Sequence, residues 1–154
     1  MPHYHRPGRL ETRLVHSTVA RLARHGISLH GSAELSVRGR STGEWRRVPV
    51  GPLPLDGERY LVSVRGESQW VRNMRAAGGG QLRIGRTTRA FTAVELSDDD
   101  EAGRAEKAEV LRHYLAHWGG QLKKFFDGAD GTSPREELLR IAPDHPVFRI
   151  TDRL

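Results

Sequence analysis

The segment from Gly39 to Gly43 places an arginine and two hydroxyl side chains inside a glycine-bounded turn. Its sequence is Gly39-Arg40-Ser41-Thr42-Gly43. A guanidinium group binds phosphate or carboxylate through a planar pair of N–H donors, and hydroxyl groups add further donors. Arg46 follows the turn in an extended segment. These residue types predict an anion-binding turn.

A second candidate anion site lies at the start of a predicted short helix. Arg65 and Gly66 follow a predicted strand, and Ser68 is placed to begin a helix that carries Trp70 and Asn73. The first N–H groups of a helix have no intrahelical partner, and the dipole there favours a phosphate or carboxylate. Trp70 and Asn73 are three positions apart, so they share one face of this helix.

These segments occur in an order and at a spacing that resemble a known family. They are Val37-Arg38-Gly39-Arg40-Ser41-Thr42-Gly43, Arg46-Arg47-Val48-Pro49-Val50, Tyr60-Leu61-Val62-Ser63-Val64-Arg65-Gly66 and Trp70-Val71-Arg72-Asn73-Met74. Together they resemble the deazaflavin (F420)-dependent nitroreductases, which are split β-barrel flavin/deazaflavin oxidoreductases. The first two look like the family's G-R-x-[ST]-G turn followed by R-x-x-P-[LV], and the last looks like its W-x-x-N-[LM] helix. The ending is also similar to common endings of the family, with His145-Pro146-Val147-Phe148-Arg149-Ile150.

The resemblance implies that the chain binds coenzyme F420, with FMN as the alternative cofactor. F420 carries a phosphodiester and a polyglutamate tail, which suit a groove with several guanidinium groups. The family often has Lys where this chain has Ser41, so one basic contact is missing. The positions that the resemblance assigns to cofactor binding are Arg40, Ser41, Arg46, Val48, Pro49, Val50, Ser63, Val64, Arg65, Gly66, Trp70 and Asn73.

The resemblance further implies an enzyme that transfers a hydride from reduced F420 to a small electron-poor acceptor, such as a quinone, a nitro compound or an enone. No nucleophile is required, so the catalytic residues stay unknown, and the proton comes from solvent or from Tyr114. One alternative is a protein of the same barrel fold that binds a flavin, deazaflavin or lipid without turnover. Another is a nucleic-acid module, but aromatic residues make up only 6% of the chain and leave few stacking platforms.

A metal site is not predicted. His113 and His117 are four positions apart, a spacing that metal ligands on a helix use. Tyr114 stands where a zinc-protease motif has Glu, and no third ligand is evident in the sequence.

The hydrophobic pattern predicts an α+β protein, a split β-barrel (FMN-binding-like roll) of about six antiparallel strands with flanking helices. Apolar residues three or four apart predict a helix from Leu10 to His25, after a flexible tail over 1–9. Pro49 is expected on an edge strand, because proline cannot donate to a sheet. A turn is predicted around Pro52, Pro54, Asp56 and Gly57. Strands are predicted at 33–37, 46–50, 60–65, 82–84, 90–96 and 147–151, and helices from Ser68 and from Ser97.

The length and composition of the chain limit the possible domain organisation, location and partners. The 154 residues fit one split-barrel domain over 10–154, and the net charge of +6 attracts anions. Only three of the basic residues are lysines, and with no cysteine there are no disulfides. No apolar run reaches the length of a membrane span, and the N-terminus lacks a signal sequence, so the cytoplasm is expected. The expected partner is a small-molecule substrate, and an exposed edge near Pro49 permits a homodimer.

Overall fold

The computed structural model describes residues 33–153, which form seven strands and three α-helices. The predicted tail over 1–9 and the predicted helix from Leu10 to His25 lie outside these residues. In chain order the elements are β1 (Ala33–Arg38), β2 (Trp45–Val50), β3 (Leu53–Leu55), β4 (Glu58–Val62), α1 (Gln69–Ala77), β5 (Gly79–Ile84), β6 (Thr87–Glu95), α2 (Glu101–Leu122), α3 (Arg135–Ile141) and β7 (Val147–Asp152). Short 3-10 helices occupy Lys123–Phe126 and Ala142–Asp144.

The strands form one antiparallel sheet in the order β2-β1-β5-β6-β7-β4-β3. The edge strands β2 and β3 are separated in the chain only by Gly51 and Pro52. Such a linker cannot cross a flat seven-stranded sheet, because neighbouring strands lie about 4.8 Å apart and each residue spans at most about 3.6 Å. The sheet is therefore curled until its two edges meet. This is the α+β split barrel that the sequence predicted, with seven strands instead of about six.

Two apolar cores lie on the two faces of the curled sheet. Strand β4 shows the alternation, since Leu61 belongs to one core while Tyr60 and Val62 belong to the other. Helix α1 packs on the first core, which contains Ala33, Leu35, Val37, Leu61, Val71, Met74, Leu82, Phe91, Phe148 and Ile150. Helices α2 and α3 cover the second core, which includes Tyr60, Val62, Leu111, Tyr114, Leu115, Phe126, Leu138, Ile141 and Val147.

The prediction that Pro49 lies on an edge strand is confirmed. Among the strands within residues 33–153, β2 is outermost and pairs only with β1, where Pro49 stands opposite Glu34. The homodimer that this edge permits stays a prediction. Among the helices within residues 33–153, none has the length and apolar character needed to cross a membrane.

The structure corrects the predicted turn between Pro52 and Gly57. Strand β3 lies inside that stretch, because Leu53 is buried in the second core and pairs with Tyr60. The turn itself is confined to Asp56 and Gly57, whose φ angles are 52° and 80°.

Two other boundaries also differ from the sequence prediction. The strand expected from Tyr60 to Arg65 ends at Val62, and a loop follows it. Helix α2 begins at Glu101 and not at Ser97, because the Oδ1 atom of Asp100 accepts a hydrogen bond from the Gly103 N–H at 2.6 Å and caps the helix.

Candidate functional site

The predicted anion-binding turn forms between β1 and β2. The Gly39 N–H donates to the Glu44 carbonyl at 2.7 Å, and the Gly43 N–H donates to the Gly39 carbonyl at 2.8 Å. Gly43 has a φ of 73°, which glycine adopts without strain. Arg40 and Ser41 are exposed at the tip of this turn.

Arg40 joins this turn to helix α1. Its backbone N–H donates to Asn73 Oδ1 at 3.1 Å, and its Nη1 donates to the same oxygen at 2.8 Å. Nη1 also donates to Gln69 Oε1 at 3.0 Å. Asn73 is only 5% exposed, so the interior of the protein fixes the amide that holds Arg40. Two of the predicted site residues are therefore in direct contact, although 33 positions separate them.

The loop between β4 and α1 is shaped by Ser63. This residue is fully buried, and its hydroxyl donates to the Gly66 carbonyl at 2.6 Å. The same carbonyl accepts the Ser68 N–H at 2.8 Å, and Gly66 has a φ of 76°. The Ser63 hydroxyl thus donates its hydrogen bond within the loop. Its contact with the cofactor stays a prediction.

Val64 and Arg65 face the second core. Val64 is half-buried against it. The Arg65 guanidinium lies 4.6 Å from the ring centroid of Phe125, a cation–π contact with the 3-10 helix that follows α2. Arg40 and Arg65 are therefore held by different elements, one by α1 and the other by the segment after α2.

The N-terminus of α1 presents a buried hydroxyl that is not bonded to any residue of the described range 33–153. Ser68 is the N-cap residue and is only 8% exposed, yet within that range its side chain makes no capping bond and its Oγ has no hydrogen-bond partner. The neighbouring Glu67 carboxylate is bound by Arg75, which also binds Glu95 through Nε at 2.7 Å. The hydrogen bond with Glu95 is the largest cause that raises the pKa of Arg75 above its ordinary value. The negative charge nearest to this helix end is therefore already paired.

The remaining predicted site residues lie on β2 and on α1. Val48, Pro49 and Val50 are half-buried, and the two valines pack against the first core. Trp70 packs on the same core, with its ring centroid 5.8 Å from that of Phe148. Arg46 is exposed, and its Nη2 lies 3.9 Å from Glu44 Oε2.

Tyr114, one of the two proton sources considered from the sequence, lies inside the second core. It is 4% exposed, and its ring centroid is 6.2 Å from that of Phe126. Burial raises the pKa of its phenol well above the ordinary value. The phenol is therefore held inside the core, and the source of the proton stays a prediction.

Sequence reasoning missed two groups beside the loop. One is the buried Ser68 Oγ, which the sequence indicated only as a helix cap. The other is His145, which is 1% exposed and whose Nδ1 lies 2.9 Å from the Ser63 carbonyl oxygen. The sequence around His145 shows only a histidine before a proline and an apolar strand, a pattern that does not reveal a distant partner.

Two of the solved structures that are similar to this chain share its fold, with TM-scores above 0.5. HutZ, the heme storage protein from Vibrio cholerae, is 8% identical to this chain. The alignment covers 90% of this chain and 89% of the HutZ chain, with a TM-score of 0.52. A protein from Agrobacterium tumefaciens is 15% identical to this chain. The alignment covers 96% of this chain and 59% of that protein's chain, with a TM-score of 0.51. An F420-H2 dependent reductase is 17% identical to this chain. The alignment covers 79% of this chain and 94% of the reductase chain, with a TM-score of 0.49. At such identities the likeness concerns the fold alone.

The sequence comparison identifies the family. No curated protein matches the chain. The family model described as F420H(2)-dependent quinone reductase matches residues 8–118, a range that contains the β1–β2 turn, the Ser63–Ser68 loop and α1. This match spans more than half of the chain and agrees with the resemblance found in the motifs. The chain therefore belongs to the F420H2-dependent quinone reductase family of enzymes, and coenzyme F420 is its cofactor.

Proposed function

We propose that this reductase transfers a hydride from reduced F420 to a small electron-poor acceptor, with quinones as the first class and nitro compounds and enones as related ones. When bound, reduced F420 supplies the hydride with its two electrons, and a proton from solvent completes the reduction of a quinone to a hydroquinone. The chain's own residues then have to bind the cofactor, orient it and exclude water, which requires no nucleophile.

The observation that carries the proposal is the buried hydroxyl of Ser68 at the N-terminus of α1. An unpaired buried hydroxyl is costly, and the helix end adds free N–H groups and a positive dipole. An anionic group of F420 would satisfy these donors, and the pairing of Glu67 with Arg75 removes the charge that would repel it. The residues present at this end therefore fit the cofactor.

The other predicted residues have compatible roles. Arg40, held in place by Asn73, would present its exposed guanidinium to a second anionic group of the cofactor. The half-buried residues Val48–Val50 on the β2 edge and Val64 after β4 would form apolar walls for the ring. Arg46 is exposed and would contribute charge that is screened by salt.

The test is turnover with a panel of acceptors. Purified protein should oxidise F420H2 in the presence of a simple quinone, and an acceptor-free reaction serves as the control. Rates of F420H2 oxidation with quinones, nitro compounds and enones at equal concentrations would show which class of acceptor is preferred. Tight F420 binding without turnover of any acceptor in the panel would contradict the proposal and favour the non-catalytic binding protein.

Replacement of Ser68 by alanine is expected to weaken F420 binding without loss of thermal stability. The hydroxyl has no partner in the part of the chain that the structure describes, so its removal breaks no bond there. A lost hydrogen bond to the cofactor costs about 0.5–1.5 kcal/mol, which raises the Kd about twofold to twelvefold. Fluorescence titration with F420 and a melting curve measure the two effects. An unchanged Kd would show that no group of the cofactor reaches Ser68.

Replacement of Arg65 by alanine is expected to weaken F420 binding by about 1.5–3 kcal/mol if the guanidinium makes a charge-assisted contact. Arg65→Lys is the matched control, because it keeps the charge and loses the planar pair of donors. Titrations at low and high salt should show that the wild type loses more affinity with ionic strength than Arg65→Ala does. Equal affinity and equal salt dependence in both proteins would show that Arg65 does not bind the cofactor.

A further inference from the structure

We propose that His145 is a positioning residue for the loop Ser63–Ser68 and that it sets the affinity for F420 by fixing the backbone of Ser63. The inference rests on the proposed function, in which this loop and the start of α1 hold an anionic group of the cofactor. His145 itself lies beneath the loop and does not reach the exposed surface, being 1% exposed.

Both backbone groups of Ser63 are held by the two residues that precede β7. The Ser63 carbonyl oxygen lies 2.9 Å from His145 Nδ1, and the Ser63 N–H donates to the Pro146 carbonyl at 2.8 Å. A carbonyl oxygen can only accept, so Nδ1 carries the hydrogen and donates. The contact spans 82 positions of the chain, so the end of β4 is tied directly to the start of the last strand.

Hydrogen bonds connect Ser63 to the start of α1. The Ser63 hydroxyl donates to the Gly66 carbonyl at 2.6 Å, and that carbonyl also accepts the Ser68 N–H at 2.8 Å. Ser63, Gly66 and Ser68 are all buried, so water does not compete for these bonds. A displacement of the Ser63 backbone would therefore move the Ser68 hydroxyl and the free N–H groups of α1.

The imidazole of His145 is itself fixed by an aromatic ring. It stacks on Phe126 with ring centroids 4.0 Å apart and an angle of 21° between the planes. Phe126 is fully buried in the 3-10 helix Lys123–Phe126, and the adjacent Phe125 lies beneath the Arg65 guanidinium at 4.6 Å. One short helix thus supports both the backbone of the loop, through His145, and its positive charge, through Arg65.

A purely structural role would favour an apolar residue at position 145. A leucine would fill the space without the cost of removing a polar ring from water. A leucine could not donate to the Ser63 carbonyl, so the hydrogen bond from Nδ1 gives this histidine a role at the loop that an apolar side chain lacks. This is the reason for assigning the residue to the loop and not to the core alone.

The experiment compares His145→Leu with His145→Asn. Leucine fills the site but cannot donate, whereas the asparagine amide places a donor near the position of Nδ1. Both variants lose the stacking on Phe126, so their melting temperatures should fall together. We expect His145→Leu to raise the Kd for F420 and the KM for F420H2 about tenfold, which corresponds to about 1.4 kcal/mol, with kcat at saturation nearly unchanged. His145→Asn should stay within about threefold of the wild type.

Tyr60→Phe is the control for a partly buried hydrogen bond on the same sheet. It removes the bond from the Tyr60 hydroxyl to Glu106 Oε2 at 2.7 Å, which joins β4 to α2 and involves no residue of the loop Ser63–Ser68. Its affinity for F420 should equal that of the wild type. If Tyr60→Phe weakens F420 binding as much as His145→Leu does, or if His145→Leu binds F420 normally, the positioning role is wrong.

The outcome also separates this inference from the proposed cofactor site. A normal His145→Leu protein together with a weakened Ser68→Ala protein would keep the site and reject the role of His145. Normal affinity in both Ser68→Ala and Arg65→Ala would reject the site itself. If His145→Leu does not fold, His145→Gln replaces it, because the longer side chain moves the amide away from the Ser63 carbonyl while keeping a buried polar group. It should then bind F420 more weakly than His145→Asn, and equal binding by these two variants would overturn the role of His145.

Discussion

Replacement of Asn73 by alanine is expected to lower the turnover of F420H2 with a simple quinone on the order of a hundredfold, about 2.7 kcal/mol of barrier. The side-chain oxygen Oδ1 of Asn73 accepts hydrogen bonds from both the Arg40 backbone N–H and its Nη1, so the variant loses two of the bonds that hold the β1–β2 turn to α1. The helix face and the turn would then no longer hold the cofactor in one geometry. Steady-state kinetics at saturating F420H2 measure this loss.

Gln69→Ala is the control for this prediction. Gln69 accepts only one bond from Arg40, at 3.0 Å and in an exposed position, so a much smaller loss of turnover is expected. Melting curves of both variants separate a loss of fold from a loss of orientation. An Asn73→Ala protein with normal melting and normal turnover would place this face of α1 outside the active site.

Replacement of Gly80 by alanine is expected to destabilise the fold by about 3 kcal/mol. A Cβ atom on Gly80 would overlap the carbonyl oxygen of Ser36 on β1. Backbone atoms of a paired strand cannot yield as a flexible side chain can, so β1 and β5 would have to separate. For a domain of this size the melting temperature should fall by about 6–12 °C.

Gly43→Ala separates this collision from the general cost of replacing glycine. Gly43 has a φ of 73°, but a Cβ there would have no atom within 4 Å. Its cost should therefore be limited to backbone strain, about 1–2 kcal/mol. If Gly80→Ala melts no lower than Gly43→Ala, the close approach of β1 and β5 does not limit stability.

Local patterns in the sequence predicted much of the fold. The strand predicted at 33–37 is confirmed as Ala33–Arg38, because its apolar residues recur at every second position. Glu34, between two of them, is nevertheless buried. Strand β3 was missed because Pro52 and Pro54 indicate a turn, whereas burial of Leu53 against α2 decides the outcome. Local patterns also do not show that Gly79 and Gly80 lie where another strand's backbone would meet a Cβ.

The candidate site was predictable in its residue types but not in its contacts. Arg40 and Asn73 were both expected at the cofactor, yet their mutual hydrogen bonds depend on the packing of α1 against β1. The partner of Ser63 is His145, 82 positions away, and no local pattern encodes that pair. Likewise, only the packed structure shows that the Ser68 hydroxyl is buried without a partner.

The position of β7 has a consequence for how the enzyme matures. This strand is the last described one in the chain, yet it lies between β6 and β4 in the middle of the sheet. During synthesis, the edges of β4 and β6 that pair with β7 stay unpaired until Val147–Asp152 has left the ribosome. Unpaired strand edges of this kind promote aggregation. His145 and Pro146 emerge just before it, so the loop at Ser63 gains its anchors only after the six other described strands have been made. A nascent chain stalled before these residues would carry the Arg40 turn and α1 without the bonds that hold the Ser63 backbone, and F420 binding would stabilise chains that extend through β7.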